Sequence, residues 1–324
     1  MTDLTITTTT LDTLDRVVNP KTADLMRGSL AQSTWRAYQR DRITIEAWGV
    51  TNGVEVMPAT PITVANYVGD MVGKLSPATI TRRVAMWSRW HDAQKVDPNP
   101  CRSNEVRATL RGLRREPTQV RQAKPLSVAD LRTILTVTPA TTTINRRDRA
   151  LLTVGLALGC RRSELVALNI EDLHKVDQGP PGLSVAIRRS KTDQEAIGTT
   201  AWLPMTGNET CPVTAVVSWC RHAGITTGAI FRSVRRDGTV GNRLSDRSVS
   251  TIMGERATLA GLDPGNWSGH SLRSGFVTDH ALRGASTRSI ARQTGHSPTS
   301  PVIHRYVRDL LPWQDNAVSM GDWL

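Results

Sequence analysis

Between residues 29 and 50 the stretch SLAQSTWRAYQRDRITIEAWGV places Trp35, Tyr38, Ile45 and Trp48 three to four or seven positions apart. That spacing is one face of a helix with 3.6 residues per turn. Ser33 or Thr34 stands where an N-cap is expected. TPITVANYVGDMVGKL reads as a second helix. SPATITRRVAMWSRWHDAQ reads as a third, with Ser76 as cap and Pro77 at its first position. SNEVRATLRGLRRE makes a fourth, so the region 22–116 is expected to be all-helical. EPTQVRQAKP then breaks the pattern with two prolines and no large apolar cluster, which predicts a linker over 117–125.

Helical patterning resumes in LSVADLRTIL, where Ser127 and Asp130 are spaced as a capping box. NRRDRALLTVGLALG is strongly apolar and predicts a buried helix stopped by Gly159. GLSVAIRRSKTDQEAIGTTAWLP changes period: short β-prone pieces flank a polar turn, which predicts a small antiparallel hairpin. Helical patterns return over 212–223, 245–261 and 271–294. The expected fold class is mainly α in two domains, an all-helical region at 22–116 and a mixed α+β domain at 126–324. Residues 1–21, threonine-rich, are expected to be a flexible N-terminus.

Charge narrows the function. The 324 residues hold 41 Lys plus Arg against 29 Asp plus Glu, a formal net charge of +12. That excess points to a polyanion, nucleic acid first. Arginine supplies nearly all of it, since lysine occurs only at 21, 74, 95, 124, 175 and 191. The planar guanidinium fork suits phosphate. Arg82, Arg83, Arg89, Arg107, Arg111, Arg114 and Arg115 stud the first region, as a DNA-contacting set or as a solvated face. The cysteines at 101, 160, 211 and 220 have no zinc-finger spacing and are read as reduced and intracellular. No metal-ligand pattern and no Walker-type phosphate loop is visible, so no cofactor is expected. No apolar run has membrane-spanning length, so no membrane is expected as a partner.

Four pieces of the second half could carry chemistry. Arg161 and Glu164 lie three apart just after a glycine helix stop, so the carboxylate can orient a basic neighbour. Lys191 sits at the turn of the predicted hairpin. SGHSLRSG brings His270 and Arg273 to one side of a helix start. GHSPTSPVIHRYVRD holds His296 and then Tyr306, the only tyrosine after Tyr67. Each piece alone is as readily a surface ion pair or a solvated side chain.

Taken in order, Gly159-Arg161-Glu164, Lys191, His270-Arg273, Gly295-His296 and Tyr306 resemble the signature of the tyrosine recombinase (phage integrase) family. STWRAYQRDRITIEAW resembles the opening helix of that family's core-binding domain. The resemblance spans about residues 25 to 310. One spacing departs from it, since Tyr306 stands ten residues after His296 where members usually have nine.

The resemblance implies an integrase-like DNA breaking–rejoining fold, with 22–116 as the DNA-clamping core-binding domain and 126–324 as the catalytic domain. It implies Tyr306 as nucleophile and Arg161, Lys191, His270, Arg273 and His296 as its catalytic companions, with Glu164 behind Arg161. The reaction would be site-specific strand exchange on double-stranded DNA, performed without metal or ATP. Four protomers would act on two sites, as a dimer per site and as monomers free in solution, in the cytoplasm. The tail DLLPWQDNAVSMGDWL is more apolar than a free tail, and docking on a neighbouring protomer or on its own domain remain equal readings. A type IB topoisomerase and a DNA-binding regulator with a vestigial site stay open as alternatives.

Overall fold

The computed structural model describes residues 19–22, 32–116, 123–188, 198–296 and 303. The chain divides into two compact units, Met1–Arg121 and Gln122–Leu324.

Among the described residues the first unit contains the helices α1 (Gln32–Asn52), α2 (Pro61–Met71), α3 (Pro77–Ala93) and α4 (Asn104–Leu113). Three begin on hydroxyl caps. Thr60, Ser76 and Ser103 each accept a hydrogen bond from the amide three residues on, and Pro61 and Pro77 occupy first positions where a missing N–H costs nothing. The core gathers Ile45, Val64, Tyr67, Ile80, Trp87 and Val106, all fully buried. Tyr67 stands edge-on between Trp48 and Trp87 at centroid distances of 5.1 and 5.6 Å. Two expectations for α1 need correction. Ser33 and Thr34 lie inside the helix, which already runs from Gln32, and Trp35 is 55% exposed rather than part of the apolar face.

The second unit is centred on α6 (Thr143–Leu158), in which Ala150, Leu151, Leu152, Val154 and Leu158 are wholly buried. Before it lies α5 (Val128–Thr136), with the expected capping box: Ser127 Oγ accepts the Asp130 amide and Asp130 Oδ2 accepts the Ser127 amide. After it come α7 (Arg162–Ala167) and three antiparallel strands, β1 (Leu173–Lys175), β2 (Gly182–Ile187) and β3 (Thr199–Pro204), in the order β1-β2-β3. The predicted hairpin is β2–β3, registered with Leu183 opposite Leu203 and Val185 opposite Ala201. Ala201 and Leu203 face the core while Thr200 and Trp202 face outward, the period-2 signature of a half-buried strand.

Among the described residues there follow α8 (Pro212–His222), a second hairpin of β4 (Arg232–Val234) and β5 (Val240–Arg243), α9 (Asp246–Leu259), α10 (Ser271–Leu282) and α11 (Thr287–Thr294). The pattern over 271–294 is therefore two helices, separated at residues 283–286, with Ser286 capping the second. Strands β1, β4 and β5 are three or four residues long, too short for alternation to announce them. Gly275 on α10 lies where the chain entering this unit crosses the helix: a Cβ there would come within 2.0 Å of the Leu126 carbonyl. The Leu126 amide donates to the Ser271 carbonyl beside it. In this way the backbone at Leu126 is fastened to the start of the helix that carries Arg273. Among the described residues no helix is long and apolar enough to cross a membrane.

Candidate active site

The site begins where α6 ends. Gly159 takes a left-handed conformation, φ +56°, and its amide closes the last turn onto Gly155 and Leu156. A side chain there would be strained and would also collide, since a Cβ would lie 2.8 Å from Phe276 and 2.9 Å from Thr294. The chain turns through buried Cys160, whose thiol burial pushes up to about 12, and reaches Arg161 at the N-cap of α7. Glu164, one turn on, holds Arg161 at both ends. Its Oε2 accepts the Arg161 amide and its Oε1 accepts Arg161 Nη1, both at 2.7 Å. The Glu164 side chain is buried while the Arg161 side chain keeps 23% of its surface exposed.

Arg273 sits one turn into α10 and is deeply buried, with 3% exposure. Nη1 donates to the Gly159 carbonyl at 3.0 Å and to the Thr294 carbonyl at 2.6 Å. These oxygens lie at the C-terminal ends of α6 and α11, where carbonyls lack partners within their own helix. Both helix ends carry partial negative charge, which is what a buried cation requires. Nη2 points at the His296 ring, 2.8 to 2.9 Å from its nitrogens. Burial, then the neighbouring Arg161, lower the Arg273 pKa to about 10. It remains charged at neutral pH by about a thousand to one.

His270 occupies the N-cap of α10, in a loop held by serines. Its amide donates to Ser268 Oγ at 3.1 Å, and the Gly269 amide donates to Ser250 Oγ of α9 at 3.1 Å. Desolvation, then Arg273 and Arg161, hold its imidazole below the ordinary histidine range. His296 follows the C-cap of α11 at Gly295. Its Nδ1 lies 2.6 Å from Thr294 Oγ1. Burial first, then Arg273, Arg161 and His270, lower its pKa to about 4. Both rings are thus neutral at pH 7, beside two permanent cations.

The structure therefore brings together Arg161, Glu164, His270, Arg273 and His296 from separate segments. Lys191 and Tyr306 lie outside the described residues. Of the other tyrosines, Tyr67 is fully buried and its hydroxyl accepts from Arg83 at 2.7 Å, while Tyr38 lies under Arg89. Sequence reasoning missed Thr294 and Ser250, which support the two histidines. Thr294 adjoins the Gly-His pair and could have been suspected; Ser250 is distant in sequence and carried no signal.

Of the seven arginines that stud the first region, Arg89 lies over the Tyr38 ring and the other six divide into two groups. Arg82 and Arg83 pair with the buried carboxylate of Asp41, so part of their charge is spent inside the unit. Arg107 and Arg111 lie one turn apart on α4, Arg114 and Arg115 follow its end, and all four are exposed. Among the described residues no group of three or more His, Cys, Asp or Glu side chains could hold a metal. A cavity of about 620 Å³ lined by Leu131, Leu156, Leu183, Leu203, Phe276 and Ile290 includes none of the clustered cations or histidines, so volume alone does not locate the site.

Residues 124–310 match the phage integrase family. A protein of Selenomonas ruminantium named integrase/recombinase xerD homolog is 34% identical over 296 residues, covering 90% of this chain and 86% of its own. Two solved structures share the fold at 16% identity. The Tn1549 transposon integrase in complex with transposon right-end DNA has a TM-score of 0.61 and covers 88% of this chain and 92% of its own. A lambda integrase tetramer bound to a Holliday junction has a TM-score of 0.56 and covers 86% and 72%. With the family matched across both Arg-bearing segments and the fold shared along most of its length, the chain belongs to the phage integrase family, the tyrosine-type DNA recombinases.

Proposed function

We propose that this protein exchanges DNA strands at specific sites through a covalent 3′-phosphotyrosyl intermediate. Tyr306 is the nucleophile. Its phenolic oxygen attacks the scissile phosphorus, the bond from phosphorus to the 5′ oxygen breaks, and the 5′-hydroxyl leaves with a proton from Lys191. The phenol proton passes to a neutral imidazole, and His270 suits that role because its ring is held uncharged at pH 7. Arg161 and Arg273 neutralise the charge that grows on the non-bridging oxygens, and His296 adds a hydrogen bond to one of them. The partner strand's 5′-hydroxyl then attacks the phosphotyrosine and restores the phenol. One phosphodiester is consumed and one remade, so no ATP and no metal enter the balance.

Residues 22–116 form the DNA-clamping domain, with Arg107, Arg111, Arg114 and Arg115 as its phosphate contacts and Arg82 and Arg83 lending their remaining charge. Residues 117–125 are the linker and 126–324 the catalytic domain. Four protomers act on two double-stranded sites, two per site, in the cytoplasm on nucleoid DNA. Support for this assembly comes from the lambda integrase of the same fold, which was solved as a tetramer bound to a Holliday junction.

The observation that carries the reading is the convergence of Arg161, His270, Arg273 and His296, two fixed cations and two uncharged imidazoles around one point. The test is a nicked duplex carrying a site selected from randomised DNA by binding to the purified protein. Wild type is expected to trap a covalent adduct, and Tyr306→Phe to bind the same duplex without one. Adducts from Tyr306→Phe at the wild-type level would remove the assignment. Relaxation of supercoils without any joining of two sites would replace recombination by topoisomerase action.

A further inference from the structure

We propose that Gln293 is a positioning residue: it ties the edge strand β3 to the converging ends of α6 and α11, and so holds His296 against Arg273. The inference rests on the strand-exchange reading for its consequence in cleavage, but not for its geometry.

Among the described residues strand β3 is the edge of the sheet, so every second residue turns its backbone N–H and C=O away from β2. Trp202 is such a residue, and the Gln293 side chain closes on both groups. Gln293 Oε1 accepts the Trp202 amide at 3.1 Å, and Gln293 Nε2 donates to the Trp202 carbonyl at 2.7 Å. The amide thus mimics one residue of a fourth strand. The same nitrogen donates to the Ala157 carbonyl at 3.1 Å, in the last turn of α6 where the helix has no further N–H to offer. Both amide hydrogens and the amide oxygen are engaged, and no other side chain of that length supplies two donors and an acceptor.

What Gln293 holds is the end of an eight-residue helix. So short a helix has little stability of its own and takes its position from tertiary contacts. Thr294 follows directly. Its carbonyl binds Arg273 Nη1 and its hydroxyl meets the His296 ring. A Cβ on Gly295 would lie 3.8 Å from Thr199 Oγ1, so the first residue of β3 already borders the turn into His296. Arg273 and Gln293 therefore fix the same helix end from two sides. The bonds to Trp202 lie at the surface, where water replaces a lost partner at small cost. Losing Gln293 should consequently show in the placement of His296 more than in overall stability.

The test compares wild type with Gln293→Leu, which keeps the bulk and removes every polar contact, and with Gln293→Glu, which keeps an acceptor but has no donor for the two carbonyls. The first reading is taken without DNA, from the His296 imidazole resonances of histidine-labelled protein during a pH titration. Among the described residues the charged and titratable groups facing that ring are Arg273, Arg161 and His270, and burial, then these groups, lower its pKa to about 4. If the helix end shifts, the ring gains water and distance from Arg273, and its midpoint rises by about one unit or more in both variants. The second reading is single-turnover adduct formation on the nicked duplex. It is expected to fall about tenfold or more while affinity for the duplex stays within about twofold, the signature of misplacement rather than lost binding. A His296 midpoint unchanged in Gln293→Leu overturns the proposal. So does a parallel fall in affinity and melting temperature, which marks a general structural role. If wild type forms no adduct on any duplex, the strand-exchange reading fails, and the titration alone then decides Gln293.

Discussion

Arg273 is expected to stabilise the protein before any DNA is present, and Arg273→Lys separates that role from phosphate binding. Lysine preserves the charge, so a purely electrostatic phosphate anchor would lose little in the free protein. The structure gives Arg273 three partners spread across a planar fork: the Gly159 and Thr294 carbonyls on Nη1 and His296 on Nη2. A single ammonium cannot reproduce that spread. Losing one charge-assisted bond and leaving a buried helix-end carbonyl unmatched costs about 3 kcal/mol, each such bond being worth about 1.5–3 kcal/mol. For the unit Gln122–Leu324, which is about 200 residues long, this lowers the melting temperature by about 6–12 °C. Calorimetry without DNA makes the measurement, since phosphate contacts then play no part. Melting within about 1 °C of wild type would show that the three contacts contribute nothing to folding, and the account of the paired helix ends would fail.

Two further outcomes follow from the same junction. Gly159→Ala forces a side chain into the left-handed region and against Phe276 and Thr294, for about 1–2 kcal/mol of backbone strain and about 1–3 kcal/mol of overpacking; an unchanged midpoint in urea unfolding would contradict it. His296 has a folded pKa of about 4, below the ordinary 6.5, so the unfolded chain takes up the proton first as pH falls. Its contribution is present above pH 6.5 and is lost between 6.5 and 4, about 2 kcal/mol between pH 7.5 and pH 5. Urea unfolding at those two pH values should show that loss in wild type and a clearly smaller one in His296→Gln; equal losses would place the sensitivity elsewhere.

Much of the local architecture was legible before any coordinates. Ser76 before Pro77, the Ser127–Asp130 box and the stop at Gly159 act within one helical turn, and each appears where its spacing predicts. The alternation through GLSVAI and TTAWLP sufficed for β2–β3, because one face of that pair is buried. Strands β1, β4 and β5 were invisible for the opposite reason: three or four residues paired to a partner leave no period to read. Trp35 and the early start of α1 were misjudged because an apolar residue near a helix end need not reach the core.

The candidates Arg161, Glu164, Lys191, His270, Arg273, His296 and Tyr306 came from the sequence, through the order of motifs that resembles the family signature and with no knowledge of distance. How they act together belongs to the tertiary structure. Only the meeting of two helix C-termini explains why a guanidinium can be buried at Arg273, and only burial, then the nearness of Arg273, Arg161 and His270, lowers the His296 pKa to about 4. Arg82 and Arg83, which the sequence offered as DNA contacts or as a solvated face, are partly neutralised by Asp41 from a helix some forty residues away. Charge balance and desolvation are sums over neighbours in space, and a linear chain does not state which neighbours those are.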